Sequence, residues 1–153
     1  MGVWIQAGAL VASGIGVIVT ILANRGIAKR KVTLDHIVFS ETNQEMVELR
    51  REFVKLKNAG NLLQYASREK IVTPEAITIR KILNYYEIIA IGIRARAFHE
   101  GLFKSWWRHS LVQEWIACKD FVHSYQQQHN PRLFCEFEAL AKKWANDDER
   151  KHV

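Results

Sequence analysis

The first 24 residues of the chain contain no Asp, Glu, Lys, Arg or His. Within them, residues 3–23 form an apolar run whose only polar side chains are Gln6, Ser13 and Thr20. A helix of 21 residues is about 31 Å long at about 1.5 Å per residue, which matches a hydrocarbon core of about 30 Å. This lack of charge predicts one N-terminal transmembrane helix.

Three other interpretations of this segment lack the signals that they require. A secretory signal peptide begins with a basic region, whereas this chain begins with MGVW. N-myristoylation needs Ser or Thr at position 6, where the chain has Gln6. A helix buried in a soluble core seldom runs this far without a charge. Trp4, at one end of the run, is of a residue type that is common at membrane interfaces.

The chain also lacks the motifs that identify common enzymes and metal sites. No histidine is followed by another four residues later, and there is no HExxH, phosphate-binding loop, GxGxxG, GxSxG or EF-hand sequence. The two cysteines, Cys118 and Cys135, form no CxxC pair, and their predicted depths do not match across a helical hairpin. We therefore expect no metal, no cofactor, no disulfide and no enzymatic activity.

The positive charge of the chain is concentrated beside the apolar run. There are 22 Lys and Arg against 16 Asp and Glu, and four of the basic residues are Arg25, Lys29, Arg30 and Lys31. Without these four, 18 basic residues face 16 acidic ones, so residues 32–153 carry a net charge of +2. Such a small excess gives no indication of a nucleic-acid partner.

The same four residues predict the orientation of the chain. Basic flanks of a transmembrane helix stay in the cytoplasm. We therefore expect Arg25, Lys29, Arg30 and Lys31 to lie at the lipid headgroups of a bacterial inner membrane. The N-terminus would face outward and the C-terminal domain would be cytoplasmic.

One face of the predicted anchor carries Gly8, Ala12, Gly16 and Thr20 at a constant spacing of four. Small residues at this spacing let two helices approach closely in lipid, so they form a predicted helix-association face. Gly and Ala are also common in membrane helices, and composition alone can produce the pattern.

The predicted fold class is all-α: one N-terminal transmembrane helix followed by a small antiparallel cytoplasmic helical bundle. The predicted divisions are a transmembrane anchor at residues 1–24, a basic juxtamembrane linker at 25–32, a cytoplasmic helical domain at 33–146 and a charged, frayed tail at 147–153. Helices are predicted at about residues 33–39, 42–57, 74–98, 102–127 and 131–146.

Local signals support these helix boundaries. A capping box begins at Thr42, Thr73 precedes Pro74, and Pro131 begins the last helix. Residues 88–93 are apolar on all sides and predict the centre of the domain. The side chains expected in the core of the two long helices are Ile79, Ile82, Leu83, Tyr86, Ile89, Ala90, Ile93, Ala97, Phe103, Trp107, Leu111, Trp115, Cys118, Val122 and Tyr125.

Polar residues lie on either side of residues 88–93. Asn84, Glu87 and Arg94 are separated by three and seven residues, so they share one side of a helix and form a candidate buried polar cluster. A buried carboxylate needs a partner, and an internal ion pair between Glu87 and Arg94 is the simpler interpretation. A functional polar site is the alternative.

Trp106 and Trp107 point about 100° apart on one helix, so Trp107 can face the core while Trp106 faces outward. An exposed Trp106 is a candidate contact surface for protein or for the headgroup layer. The alternative is that both indoles pack inside the bundle.

Three segments carry a resemblance to a known family: residues 82–93 (ILNYYEIIAIGI), the Trp106–Trp107 pair and residues 134–144 (FCEFEALAKKW). They resemble the bacterial and phage-associated family called domain of unknown function 4760. The resemblance implies an N-terminal membrane helix followed by a helical domain. It implies no activity, because the family has none assigned.

These observations lead to a function hypothesis. The chain is expected to be a membrane-anchored, non-enzymatic interaction or effector protein of a bacterium or phage, with anti-phage defence or superinfection exclusion as a setting suggested by analogy. Its expected partners are membrane lipid and protein, either a second copy or another membrane-associated protein. The alternatives are an accessory subunit of a larger inner-membrane complex and an uncharacterised enzyme that uses Glu87.

Overall fold

The computed structural model describes the backbone of residues 2–153 and the side chains of residues 18–153. The chain forms the helices α1 (Gly2–Thr42), α2 (Gln44–Ala59), α3 (Pro74–Arg94), α4 (Glu100–Gln128) and α5 (Cys135–Trp144). Short 3₁₀ helices cover Leu62–Ala66 and Glu149–Lys151. Residues 2–153 contain no strand, which confirms the predicted all-α class.

α1 is the longest element, with 41 residues. The predicted linker at 25–32 and the predicted short helix at 33–39 are both continuous parts of it. Gly26 is the one poor helix former in the basic stretch, and its cost of about 1 kcal/mol does not break the helix. The division into an anchor and a domain stays a prediction.

No helix within residues 18–153 is both long enough and apolar enough to cross a membrane. The predicted anchor, residues 3–23, lies mostly outside this range. Gly8, Ala12 and Gly16 of the predicted association face also lie outside it, and Thr20 lies inside.

α2 begins one residue later than the predicted capping box. The side chain of Asn43 accepts a hydrogen bond from the backbone N–H of Met46 at 3.0 Å and is therefore the N-cap. Thr42 instead ends α1, because its hydroxyl donates to the carbonyl of Val38 at 2.8 Å. The capping prediction was wrong because the preceding helix extends to Thr42.

α3 begins as predicted, since the hydroxyl of Thr73 accepts a hydrogen bond from the N–H of Ala76 at 3.3 Å. Ile88 and Ile91, however, are exposed, so residues 88–93 are not buried on all sides. The helix has neighbours on one side only here, and the outward isoleucines meet none. The predicted core residues of α3 that are buried are Ile79, Ile82, Leu83, Tyr86, Ile89, Ala90 and Ile93.

α3 ends at Arg94, four residues before its predicted end. The chain turns at Arg96, whose φ is +59°. The carbonyl of Gly92 accepts hydrogen bonds from the N–H groups of Ala97 at 2.9 Å and Phe98 at 3.1 Å. This turn leaves Ala97 exposed. The prediction that Ala97 lies in the core was wrong, because it required α3 to continue to residue 98.

α4 contains the buried stripe that its periodicity predicts: Phe103, Trp107, Leu111, Trp115, Cys118, Val122 and Tyr125. Most of the buried core side chains come from α3 and α4. α2 packs against α3, Leu62–Ala66 packs against α4, and α5 packs against both α3 and α4. The second half of α1 packs on α2 and α4. Cys118 is buried, Cys135 is exposed, and both are free thiols.

The last helix and the tail differ from the predictions. Residues 131–134 form turns, and α5 begins at Cys135 rather than at Pro131. The predicted frayed tail is docked on α4: Arg108 forms an ion pair with the buried Glu149, and Lys119 donates to the carbonyl of His152. Charge alone suggested a solvated tail, but these charges have partners on α4.

Candidate functional site

An apolar groove of about 400 Å³ lies between the second half of α1 and the beginning of α4. Its lining is apolar except at Glu41, Thr42 and Ser105, and consists of Leu34, Ile37, Val38, Glu41, Thr42, Leu102, Ser105 and Trp106. Leu34, Val38 and Trp106 are exposed, although each is large and apolar. Clustered exposed apolar side chains of this kind mark contact surfaces.

The two adjacent tryptophans diverge in this part of α4. Trp107 is 8% exposed, and its ring stacks on Phe103 with a centroid distance of 5.5 Å. Trp106 is 59% exposed and forms the rim of the groove. Of the two orientations that the sequence allows for Trp106, the structure shows the outward one.

His36 holds the groove-forming part of α1 against the bundle. Its ring is half-buried and lies 5.5 Å from that of Tyr85, 5.2 Å from that of Phe98 and 5.9 Å from that of Phe103, between centroids. Burial lowers the pKa of His36, because the imidazolium form is poorly solvated there. Burial likewise raises the pKa of Tyr85 to about 12.

A second contact joins α1 to the turn between α3 and α4. The hydroxyl of Thr33, which is fully buried, donates to the carbonyl of Lys29 at 2.8 Å and accepts from the N–H of His99 at 2.8 Å. His99 also caps α4, since its Nδ1 accepts from the N–H of Leu102 at 3.3 Å. The wall of the groove that α1 forms is therefore fixed relative to the wall that α4 forms.

Glu87 binds the N-terminus of α5. Its carboxylate accepts hydrogen bonds from the backbone N–H of Phe137 at 2.7 Å and from that of Glu136 at 3.3 Å. These are N–H groups without partners inside the helix, and a negative charge is favourable there. Burial raises the pKa of Glu87, and the two backbone hydrogen bonds oppose that rise.

The predicted polar cluster is not brought together as expected. Arg94 forms its ion pair with Glu136, with Nε and Oε2 3.0 Å apart, and its side chain is 68% exposed. Asn84 is exposed and lines a different cavity with Tyr125. The expected ion pair between Glu87 and Arg94 is therefore wrong, because the beginning of α5 lies beside both residues and takes a separate contact from each.

Sequence reasoning missed a buried carboxyl on α4. Glu114 is 6% exposed, and the groups that face it are the hydroxyl of Tyr86 and the ammonium of Lys57, 3.9 Å from Oε1. Burial raises the pKa of Glu114. Its spacing of three from Leu111 and four from Cys118 was the available signal, since it puts Glu114 on the buried stripe.

Within residues 18–153, no group of three His, Cys, Asp or Glu side chains could hold a metal ion. The described residues form an apolar groove, a capped helix and ion pairs between helices. The cap and the ion pairs hold helices together.

A family model described as domain of unknown function (DUF4760) matches residues 4–144 of this chain. The chain belongs to this family. No curated protein and no solved structure matches it. The match confirms the resemblance drawn from the three segments, and it spans the chain from near the start of α1 to the end of α5.

In this DUF4760 member, the four basic residues beside the apolar run are not equivalent. Arg25 and Lys29 line an open cleft of about 470 Å³, whose other cationic side chain is Arg96 from the turn after α3. Arg30 and Lys31 are exposed and do not line it. No signal in the sequence indicated that Arg96 lines this cleft. Arg96 lies more than 60 residues from Lys29, and its position beside Lys29 depends on how α1 packs on the bundle.

Proposed function

We propose that this DUF4760 member is a membrane-anchored, non-enzymatic interaction protein that associates with a second copy of itself beside the bacterial inner membrane. The observation that carries the proposal is the continuity of α1. One helix bears the uncharged segment, the basic turns and one wall of the apolar groove. With residues 3–23 as a single-pass anchor, the groove would stand at a fixed height above the lipid.

That height favours a protein as the occupant of the groove. Leu34 lies 11 residues beyond Ala23 on α1, which is about 16 Å at about 1.5 Å per residue. The headgroup layer on each side of a bilayer is roughly 5–8 Å thick. With α1 upright, Leu34 and Trp106 are therefore beyond the reach of lipid headgroups.

The exposed face of α1 favours a second copy as that protein. Ile27, Leu34 and Val38 are all exposed, and they are separated by seven and four residues. This is the spacing by which parallel helices pair in a coiled coil. Two copies anchored in one membrane present parallel α1 helices, so each helix lies close to the groove of the other. Lys31 interrupts the face, but its stem can lie along the apolar wall while its ammonium stays in water.

The predicted association face in the anchor supports the same arrangement. Gly16 and Thr20 precede Ile27 by 11 and seven residues, so they share its side of the helix. Close packing of Gly8, Ala12, Gly16 and Thr20 in lipid would therefore continue into pairing of the exposed face above the membrane.

Disulfide cross-linking of the full chain in native membranes tests this proposal. In a Cys135→Ala background, Val38→Cys should form disulfide-linked dimers on mild oxidation, because Val38 lies on the shared face. Phe39→Cys is the matched control: it is equally exposed but points about 100° away. Adding Trp106→Ala should reduce dimer formation by Val38→Cys, whereas Ile88→Ala, on the outer side of α3, should leave it unchanged.

Three results would overturn the proposal. Equal cross-linking by the two cysteine variants would show that dimers form by random collision. Cross-linking of Val38→Cys only to a protein of another mass would favour the accessory-subunit alternative. Release of the chain from membranes by alkaline carbonate would show that residues 3–23 do not anchor it in the bilayer.

The orientation is tested by reporters fused after Val153. A green fluorescent protein should be fluorescent and an alkaline phosphatase inactive, because the basic turns are expected on the cytoplasmic side. High phosphatase activity would reverse the orientation. The setting in phage defence or superinfection exclusion belongs to the same proposal, and loss of either phenotype with Trp106→Ala would connect it to self-association.

A further inference from the structure

The cleft formed by Arg25, Lys29 and Arg96 collects positive charge without any carboxylate. Its remaining lining is small and apolar: Gly26, Ala28, Val32 and Ala97. Within residues 18–153, none of its three cations has an ion-pair partner. Like charges that line one open cleft repel one another, and an anion bound between them relieves that repulsion.

The carboxylates of the adjoining cleft do not neutralise this one. Arg96 also borders that second cleft, which contains Glu100 and Glu136. Glu100 is already paired with Lys143 at 2.7 Å, and Glu136 with Arg94 at 3.0 Å. Each carboxylate is therefore engaged by another cation, and Arg96 is left without one.

The backbone at Arg96 provides a second, independent observation. The N–H of Arg96 donates to the carbonyl of Ile93, and the N–H of Ala97 donates to that of Gly92. This is the Schellman pattern that ends a helix, and Arg96 occupies the left-handed position that glycine usually takes. A side chain there is unfavourable for the backbone. The structure therefore has an arginine where the backbone favours glycine, and this arginine lines the cleft.

The two halves of the cleft are also held in register. Thr33 joins the turn of α1 that bears Lys29 to the N–H of His99, three residues after Arg96. Phe98 lies against Gly92, where a Cβ atom would be 2.3 Å from its ring. The position of Arg96 relative to α1 therefore rests on buried contacts and not on exposed side chains alone.

We infer that Arg25, Lys29 and Arg96 form a binding site for the phosphate group of an anionic phospholipid, with Gly26, Ala28, Val32 and Ala97 against its glycerol and acyl atoms. Arginine suits phosphate because its guanidinium can donate two parallel hydrogen bonds. The apolar wall beside the cations fits a phosphate that is attached to a lipid.

The assignment to lipid rests on the proposed membrane anchor. Arg25 lies two residues beyond Ala23 and Lys29 lies six residues beyond it, which is about 3 Å and about 9 Å along α1. Arg25 is therefore within a headgroup layer of roughly 5–8 Å, and the side chain of Lys29 is long enough to extend back into that layer. The same cations could bind free phosphate, so the experiment must separate the two sources.

The full chain in a nonionic detergent can be titrated with short-chain phosphatidylglycerol, short-chain phosphatidylcholine and inorganic phosphate. Binding is followed by the amide NMR signals of Gly26 and Ala97. We expect saturable binding of phosphatidylglycerol, and at least tenfold weaker binding after Lys29→Gln. Lys31→Gln is the matched control, because it removes the same charge at nearly the same height but outside the cleft. It should change the affinity less than twofold.

Arg96→Gly separates binding from folding. It removes the cation and supplies the residue that the left-handed backbone favours. We therefore expect an unchanged or higher unfolding temperature together with at least tenfold weaker binding. Equal losses for Lys29→Gln and Lys31→Gln would overturn the site, since diffuse attraction would then explain the binding. Full binding by Arg96→Gly would overturn it as well.

The other titrations identify the source of the phosphate. Phosphatidylcholine that binds as tightly as phosphatidylglycerol would overturn the role of the cations. Inorganic phosphate that binds with the same loss in Arg96→Gly, while the lipids do not bind, would overturn the lipid assignment and support the phosphate site. Because no membrane is present, these results do not depend on whether the anchor exists, which carbonate extraction tests separately.

Discussion

Because Phe98 lies against Gly92, we predict that Gly92→Ala destabilises the fold, whereas helix propensity alone predicts that it stabilises it. Gly92 lies inside α3, where replacing glycine by alanine normally stabilises a helix by about 1 kcal/mol. In this structure, however, a Cβ atom on residue 92 would lie 2.3 Å from Cδ2 and 2.5 Å from Cε2 of Phe98. Gly92→Ala therefore forces the ring to move.

The ring of Phe98 has little room to move. Its centroid is 5.2 Å from that of His36 and 5.2 Å from that of Phe103, so displacement disturbs the contact of α1 with α4. Overpacking of this kind costs about 1–3 kcal/mol, and the close approach indicates a value near 3. Set against the gain of about 1 kcal/mol from propensity, Gly92→Ala should destabilise the fold by about 2 kcal/mol.

The same substitution should stabilise the chain once the ring is gone. In a Phe98→Ala background, Gly92→Ala retains only the propensity gain of about 1 kcal/mol. The coupling energy between the two sites is then about 3 kcal/mol, a value expected only for residues in contact. Phe98→Ala alone should cost about 3 kcal/mol, at the low end for a phenylalanine because the ring is half-buried.

Urea unfolding of the four chains in a nonionic detergent, followed by far-ultraviolet circular dichroism, measures this coupling. Gly26→Ala is the control, because a Cβ atom there meets nothing within 4 Å; it should not lower the stability. If Gly92→Ala stabilises the chain with Phe98 present, the ring does not lie over residue 92. If it destabilises equally in both backgrounds, the cost comes from elsewhere in the helix.

Two further predictions follow from the contacts of α3 and α1. Glu87→Ala should destabilise the fold by about 1–2 kcal/mol through loss of the cap on α5. Arg94→Ala should destabilise it by at most about 1 kcal/mol, because its ion pair is exposed. We expect the two losses to be nearly additive in the double variant, and strong coupling would instead show that Glu87 and Arg94 are in direct contact. His36 has a lowered pKa in the folded chain, so the unfolded chain takes up its proton first and stability falls as the pH drops below 6.5 toward the folded pKa. Thermal unfolding of His36→Phe and of the unmodified chain should be compared from about pH 7.5 to about pH 5.5. The stability of His36→Phe should fall less steeply as the pH drops, with a difference in slope of at most about 1.4 kcal/mol per pH unit. Parallel curves would mean that His36 is not buried.

The helical periodicity of the sequence identified the core of α3 and α4 almost residue by residue. The buried stripe from Phe103 to Tyr125 is as predicted, and Trp106 turns away from Trp107 as a rotation of about 100° requires. These features could be predicted because the spacing of side chains along a helix is a local property. The side of a helix that carries the apolar residues is then the side that packs.

Helix ends were predicted less well, because some depend on neighbours in space. A capping box in the sequence predicts that a helix begins at Thr42, yet α1 continues to that residue. α3 stops at Arg94 because Phe98 returns to Gly92, a contact that no propensity describes. The tail is docked because Arg108, on another helix, meets Glu149.

By itself, the sequence determined that the chain is all-α, that its first 24 residues carry no charge and that its longest helices have a defined buried side. Only the tertiary structure decided which side chains meet between helices: Glu87 with the start of α5, and Arg96 beside Arg25 and Lys29. The physical reason is that such meetings depend on the rotation and crossing of whole helices. The packing of the entire core sets these angles, and no single segment contains that information.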